Sequence, residues 1–405
     1  MVTGDPIKRG APGCSLHCVL GSPPLPIPAT ARFQTSDGLH VKDHTEIIQS
    51  WEVVAEEHYI TTDDGYILLL ERAYIKTGGT PILIVHGIAM NSLGFIYRGQ
   101  NSLVYLLVSL GYDVWILNWR GTIYSRGHVK LSTTDRAYWY YSVHELAIYD
   151  ARNSIRYIKE RVNQKIIYIG YSTGTTMFYI YSSVLPNEAK EHIQGMIGLG
   201  PAINFKGAKS VLQISAYVWP IARPLIYALF HGEIIPHYTQ LVKVFMHNSF
   251  GMYFTQTLIN LAGGFDYQQM DAISYPFTPR WLDTAGVEVW THFLQIRDSG
   301  VFQHYDHGPL KNTLLYGQPH PPPYNISKIS VPIALFVGPN DWIASVTNAD
   351  QLYSELTESS RCGYHLMDRS KWSHYDFVMA KDIKSYLYDH LINKIAQIAS
   401  GNCNP

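Results

Sequence analysis

The stretch Glu56 to Tyr74, EEHYITTDDGYILLLERAY, alternates apolar and polar positions on either side of Asp64-Gly65. A period of two flanking such a turn dipeptide predicts a β-hairpin. Five short apolar runs follow, PILIVHG, YDVWILNW, KIIYIG, GMIGLG and VPIALFVG, each closed by a glycine or a polar turn. Runs that are apolar at consecutive positions predict strands buried on both faces. Between the second and third lies SVHELAIYDARNSIRYIKERV, in which Leu146, Ile148, Ile155, Tyr157 and Ile158 recur at helical spacing. Strands alternating with helices predict an α/β fold, a mostly parallel central sheet with helices on both faces. The alternation stops near Pro201 and resumes near Pro332. The aromatic segment between them, helical in pattern and punctuated by Gly and Pro, reads as an insertion over the sheet.

Within that insertion VLQISAYVWPIARPLIYALF, Val211 to Phe230, is the stretch nearest to a membrane span. Gln213, Arg223, Pro220 and Pro224 argue instead for broken helices packed against something apolar. Residues 1–38, rich in Pro, Gly and Ser, have no period and read as an irregular tail. The opening MVTGDPIKRGAPGCSLHCVL lacks the apolar run of about seven residues or more that a signal peptide needs, so the chain as written is expected not to be exported.

The run KIIYIG ends in Gly170-Tyr171-Ser172-Thr173-Gly174, which fits G-x-S-x-G. In that motif a strand turns sharply into a helix and holds a serine hydroxyl above the sheet. Gly170 and Gly174 have a physical reason there, since a tight strand-to-helix turn leaves no room for Cβ atoms. A nucleophilic serine needs a base, and the base needs an orienting carboxylate. Asp341 follows the apolar run VPIALFVG, and His374 follows a weaker run. The order Ser, Asp, His, each beyond the carboxyl end of a strand, is the one this fold uses. Two amides complete the chemistry: that of Thr173, after the nucleophile, and that of Ile88, in the loop after PILIVHG. His86 precedes the nucleophile by a long way and reads as a brace for that loop.

Composition narrows the partners. In 405 residues the charged fraction is 16% and the net charge −1, so no basic surplus exists to draw nucleic acid. Aromatic residues make up 13%, with 30 Tyr and 9 Trp, which suits either a site for apolar ligands or a Tyr-rich core. Cys14, Cys18, Cys362 and Cys403 are too sparse to be a framework, and their pairing is left open. Cys14, His17 and Cys18 have no second Cys/His pair at ligand spacing, so no metal is expected. Asn325-Ile326-Ser327 is a glycosylation sequon, relevant if the chain is exported.

HGIAMNS, NWRGTIYSRGH, ELAIYD, GYSTGTT, NDWIA and HYDF, in this order, resemble the motifs of the acid lipase family that includes gastric and lysosomal acid lipases. IIQSWEVVAEEHYITTDDGYILLLERAY resembles that family's opening segment, and FQHYDHGPLKN with PPPYNISKISVPIA resembles the end of its cap. The likeness runs from about Ile47 to Ile395. It implies an α/β-hydrolase core at 39–203 and 325–398, a helical cap at 204–324 and a short C-terminal tail at 399–405. It implies Ser172 as nucleophile, Asp341 as orienting acid, His374 as base, the Ile88 and Thr173 amides as oxyanion hole, and no cofactor. The implied substrates are acyl esters of neutral lipids, triacylglycerol or sterol esters, met by the cap at a lipid–water interface. A soluble carboxylesterase on small esters would share every catalytic residue, whereas a catalytically silent lipid-binding relative would keep the fold alone. The chain departs from the family in three ways. The family is secreted or lysosomal and begins with a leader, which favours a different first exon here. This cap has no cysteine, and Ile88 stands where the family usually has Leu.

Overall fold

The computed structural model describes residues 44–205, 207–209, 211–234, 249–270 and 282–403. The expected N-terminal tail, Cys14 and Cys18, and parts of the insertion lie outside these residues. The hairpin forms as expected: β1 (Val54–Thr61) pairs antiparallel with β2 (Tyr66–Tyr74). Its turn is closed by the Thr62 amide donating to the Tyr66 carbonyl at 2.8 Å. The apolar runs become β3 (Pro81–Val85), β4 (Asp113–Asn118), β6 (Ile166–Tyr171), β7 (Ile193–Leu199) and β8 (Ile333–Val337). A two-residue β5 (Gly127–His128) adds to β2, and β9 (Arg361–Leu366) is the weaker run before His374. The core helices are α1 (Leu103–Ser109), α2 (Arg152–Val162), α3 (Thr173–Val184) and α4 (Pro186–His192). In the insertion lie α5 (Val211–Phe230), α6 (Ser249–Gly263), α7 (Val287–Ser299) and α8 (Pro309–Tyr316). Then come α9 (Val346–Glu355) and α10 (Asp389–Ala399).

The sheet runs β1-β2-β4-β3-β6-β7-β8-β9, antiparallel from β1 through β4 and parallel from there on. In register, Val85 faces Gly170, Tyr171 faces Leu199, Leu199 faces Phe336 and Val337 faces Leu366. The parallel strands therefore end on one edge, where open α/β sheets carry their ligands.

Each central strand feeds a core on both faces. Ile82, Ile84, Val114, Ile116, Ile167 and Ile169 pack on one side with α1 and α10. Leu83, Val85, Trp115, Leu117 and Tyr168 pack on the other with α2, α3 and α9. Two-sided burial is why these runs show no alternation. The helix before β6 contains a π-type segment, Leu146–Ala151. Its Asp150 accepts from the Arg120 backbone and Nε at 2.8 Å, and Arg120 also forks onto Asp64 at 2.6 and 2.8 Å. One buried guanidinium thus ties the hairpin turn, the end of β4 and that segment together. A disulfide joins Cys362 of β9 to Cys403 beyond α10.

The expectation of broken helices at Val211–Phe230 fails: α5 runs unbroken through Pro220 and Pro224. Each proline lacks a donor for the carbonyl four residues earlier, yet both lie on the exposed side, where water can serve that carbonyl. Across the helix Trp219 bonds Thr291 at 3.0 Å, while Arg223 and Tyr227 bond buried Glu288 at 2.7 Å. These three α5 side chains, spaced by four, pin the helix to α7 on either side of the prolines. The remaining apolar side chains are not packed as expected. Ile214, Tyr217, Val218, Ile221, Leu225 and Leu229 form an exposed stripe, with Tyr217 at 83%. On neighbouring α6, Phe250, Tyr253, Phe254, Leu258 and Leu261 form another.

Beneath α7 lies a cluster of rings. His144 Nδ1 is 2.9 Å from the Tyr324 hydroxyl, His304 stacks on Tyr324 at 4.2 Å, and His292 Nε2 donates to the Gln303 carbonyl at 2.8 Å. Burial pushes His292 down to about 4 and His304 down to about 3.

Candidate active site

Ser172 sits between β6 and α3 at φ 51, ψ −116, a left-handed backbone that a side-chain-bearing residue adopts only under strain. The turn is forced by close packing. A Cβ on Gly174 would lie 2.2 Å from the Val85 carbonyl oxygen, and one on Gly170 would lie 2.7 Å from the Gly174 carbonyl carbon. The serine amide donates to the Leu199 carbonyl at 3.0 Å, which anchors the turn to β7.

Ser172, Asp341 and His374, expected together, meet at the carboxyl edge. His374 Nε2 is 2.9 Å from Ser172 Oγ, and His374 Nδ1 is 2.7 Å from Asp341 Oδ2. The other carboxylate oxygen accepts the amides of Ile343 and Ala344 at 2.9 and 2.7 Å, so the acid cannot rotate away from the imidazole. With Asp341 facing Nδ1, the proton sits on that nitrogen and Nε2 keeps a lone pair for the serine. All three side chains are buried, Ser172 at 6% exposure, which strengthens their mutual electrostatics.

Thr173 opens α3, and Gly87 passes close enough that a Cβ there would lie 3.1 Å from Ser172 Cβ. The Ile88 amide is beside Ser172, donating to Thr173 Oγ1 at 3.2 Å. Both expected donor residues thus flank the serine. His86 is buried, its Nδ1 2.8 Å from the Gly87 carbonyl oxygen, and stacks on Trp119. Burial pushes it down to about 3, so it stays neutral and braces the loop. Among the described residues no group of three or more His, Cys, Asp or Glu is placed to hold a metal.

Sequence reasoning missed several supports of the histidine. The Tyr171 hydroxyl donates to the His374 carbonyl at 3.0 Å. Asp376 accepts the Ser373 amide at 2.6 Å, and burial pushes its carboxyl up to about 7. The Gly263 carbonyl, at the end of α6, accepts the amides of Trp342 and His374 at 3.1 and 3.0 Å. Tyr171 and Asp376 lie inside recognised motifs and were within reach of sequence. Gly263 was not, because a backbone carbonyl leaves no residue-type signal.

A family model described as the alpha/beta hydrolase fold matches residues 80–377, and one described as a partial alpha/beta-hydrolase lipase region matches 44–99. Human lysosomal acid lipase/cholesteryl ester hydrolase is 30% identical over 364 residues, covering 86% of this chain and 89% of that protein. The chain belongs to the acid lipase family of α/β-hydrolases. It is accordingly a carboxylic ester hydrolase. Lipase 3 of Drosophila melanogaster is 30% identical over 373 residues, covering 88% of this chain and 93% of its own length. A solved structure of a soluble variant of monoglyceride lipase from Saccharomyces cerevisiae shares the fold at TM-score 0.52 and 14% identity, covering 87% and 96% of the two chains. No helix among the described residues is long and apolar enough to cross a membrane.

Proposed function

We propose that this lipase cleaves fatty acyl esters of neutral lipids at a lipid–water interface through an acyl-enzyme on Ser172. Ser172 Oγ attacks the ester carbonyl while His374 Nε2 takes its proton, and Asp341 steadies the imidazolium at Nδ1. The oxyanion is received by the amides of Thr173 and Ile88, the latter exchanging its bond to the Thr173 hydroxyl for the substrate oxygen. His374 returns the proton to the departing alcohol, then activates the water that releases the fatty acid. The unbroken chain of 2.9 and 2.7 Å contacts from Ser172 through His374 to Asp341 supports these roles.

The observation that carries the lipid reading is the pair of exposed apolar stripes on α5 and α6. Isolated apolar residues on a surface are ordinary, but contiguous patches on neighbouring helices mark an interaction face. We read residues 204–324 as a cap over the core at 39–203 and 325–398, with these stripes turned to lipid and the polar anchors on Glu288 turned inward. A secreted or lysosomal location is supported by the Cys362–Cys403 disulfide and by the exposure of Asn325 and Ser327 in the sequon.

The test is kcat/KM on p-nitrophenyl esters from acetate to palmitate, followed by emulsified triacylglycerol and cholesteryl oleate. Each methylene withdrawn from water contributes about 0.8 kcal/mol, so the series should climb by about fourfold per carbon until the acyl site is filled. A flat or falling series with no hydrolysis of the emulsions would leave a small-ester carboxylesterase in its place.

A further inference from the structure

The acid and base of the triad arrive on separate loops, one after β8 and one after β9, which are joined directly by the Asn340 amide donating to the Trp372 carbonyl at 3.0 Å. A further contact, shared by both loops, comes from the insertion. The Gly263 carbonyl accepts the Trp342 amide, one residue past Asp341, and also the amide of His374 itself, at 3.1 and 3.0 Å. One acceptor thus spans both loops at their functional residues. The next residue is packed as tightly: a Cβ on Gly264, at φ +113, would lie 2.1 Å from the Asn340 carbonyl oxygen. Asn340 Nδ2 answers by donating to the Phe265 carbonyl at 3.1 Å.

The turn is itself held rigid. Buried Asn260 accepts the Asp266 amide at 2.9 Å and donates to the Gln256 carbonyl at 2.8 Å. Asp266 forms a forked ion pair with Arg369, on the chain leading to His374.

We propose that the turn Asn260–Phe265 at the end of α6 is a positioning element that sets the alignment of His374 against Asp341. This rests on Ser172, Asp341 and His374 being the triad of the preceding section. Because a shift of 1 Å in reacting geometry costs about 10²-fold in rate, the Gly263 carbonyl acts on turnover without touching substrate. The insertion is then part of the catalytic apparatus as well as a cover for it.

The test uses the full chain and a soluble short-chain ester, so that lipid adsorption does not enter. Gly263→Ala would put a Cβ 2.4 Å from the Tyr375 ring and 3.2 Å from His374 Cβ, pushing the histidine loop away from the acid. Asn260→Ala only removes atoms and frees the turn. For both, kcat is expected to fall by about 10²-fold with KM nearly unchanged. A carboxylate held farther from the imidazole favours its charged form less, so the acid limb of the kcat profile should move to lower pH. Tyr171, Tyr375 and Asp376 also surround His374 and are unchanged in both variants, so the shift is read against the parent. Gly317→Ala is the control: Gly317 has φ +74 in open space beyond α8, so it carries backbone strain without touching the triad, and it should leave kcat unchanged.

If Gly263→Ala does not fold, Asn260→Ala decides. Parental kcat and an unmoved acid limb in a folded Asn260→Ala protein would overturn the proposal. A fluorophosphonate probe that fails to label Ser172 in the parent would instead overturn the triad reading, so the two failures are distinguishable.

Discussion

Replacing Ser172 by glycine should make the protein more stable than replacing it by alanine, the reverse of the usual order. Both substitutions remove the hydroxyl and its 2.9 Å contact with His374, so that loss cancels between them. They differ in the backbone. At φ 51 and ψ −116 a Cβ-bearing residue is held at a cost of about 1–3 kcal/mol, which glycine relieves. Glycine in turn gives up about 0.5–1 kcal/mol through the greater freedom of its unfolded chain. The balance favours Ser172→Gly by about 1 kcal/mol at mid-range and by at most about 2.5 kcal/mol. For a chain of 405 residues this is about 1–2 °C in Tm, from the usual unfolding entropy per residue. Scanning calorimetry on the two variants at one pH reads the difference, and ester hydrolysis should fall by on the order of 10⁶ in both. An alanine variant that melts above the glycine variant would show that the elbow holds no strain and that its close packing alone sets the turn.

Asp341→Asn should lower kcat by about 10⁴ while the protein melts near the parent temperature, because an amide facing Nδ1 selects the wrong imidazole tautomer. Stopped assays on a short ester check it, and a loss within tenfold would remove Asp341 from the triad. His292 titrates near 6.5 in the unfolded chain and is pushed down to about 4 by burial in the folded one. Its contribution is therefore complete above 6.5 and lost as pH falls toward 4, about 2 kcal/mol by pH 5. His292→Gln should show that much less loss between pH 7.5 and 5 in urea melts, and an unchanged slope would mean that the ring cluster is open to water. Cys403→Ser should cost about 4 kcal/mol, the entropy of a loop closed across 41 residues. Non-reducing urea melts compare it with the parent, and equal midpoints would mean that the disulfide does not form in the purified protein.

What the sequence disclosed followed from physical signals of different range. The hairpin and buried strands were legible because periodicity and turn chemistry are local, and the meeting of Ser172, Asp341 and His374 at one sheet edge because strand ends and chain order together constrain where they can sit. The continuity of α5 was hidden because a proline's effect depends on what lies across the helix, here Thr291 and Glu288 on α7. Its exposed stripe was hidden for a similar reason: apolarity says that a side chain avoids water, and α5 turns that face outward all the same. The Cys362–Cys403 pair was left open because four cysteines without a framework do not dictate their partners. The Gly263 carbonyl and the stacking of His304 on Tyr324 exist only in three dimensions.

The separation of Ser172 from His374 by 202 residues also has a meaning in time. At about 5–20 residues per second of synthesis, the histidine is made roughly 10–40 s after the serine. In that interval β1 to β7 can pair among themselves, and until His374 arrives Ser172 has only an ordinary alcohol. A chain truncated between β7 and His374 would carry Ser172 without the imidazole that activates it.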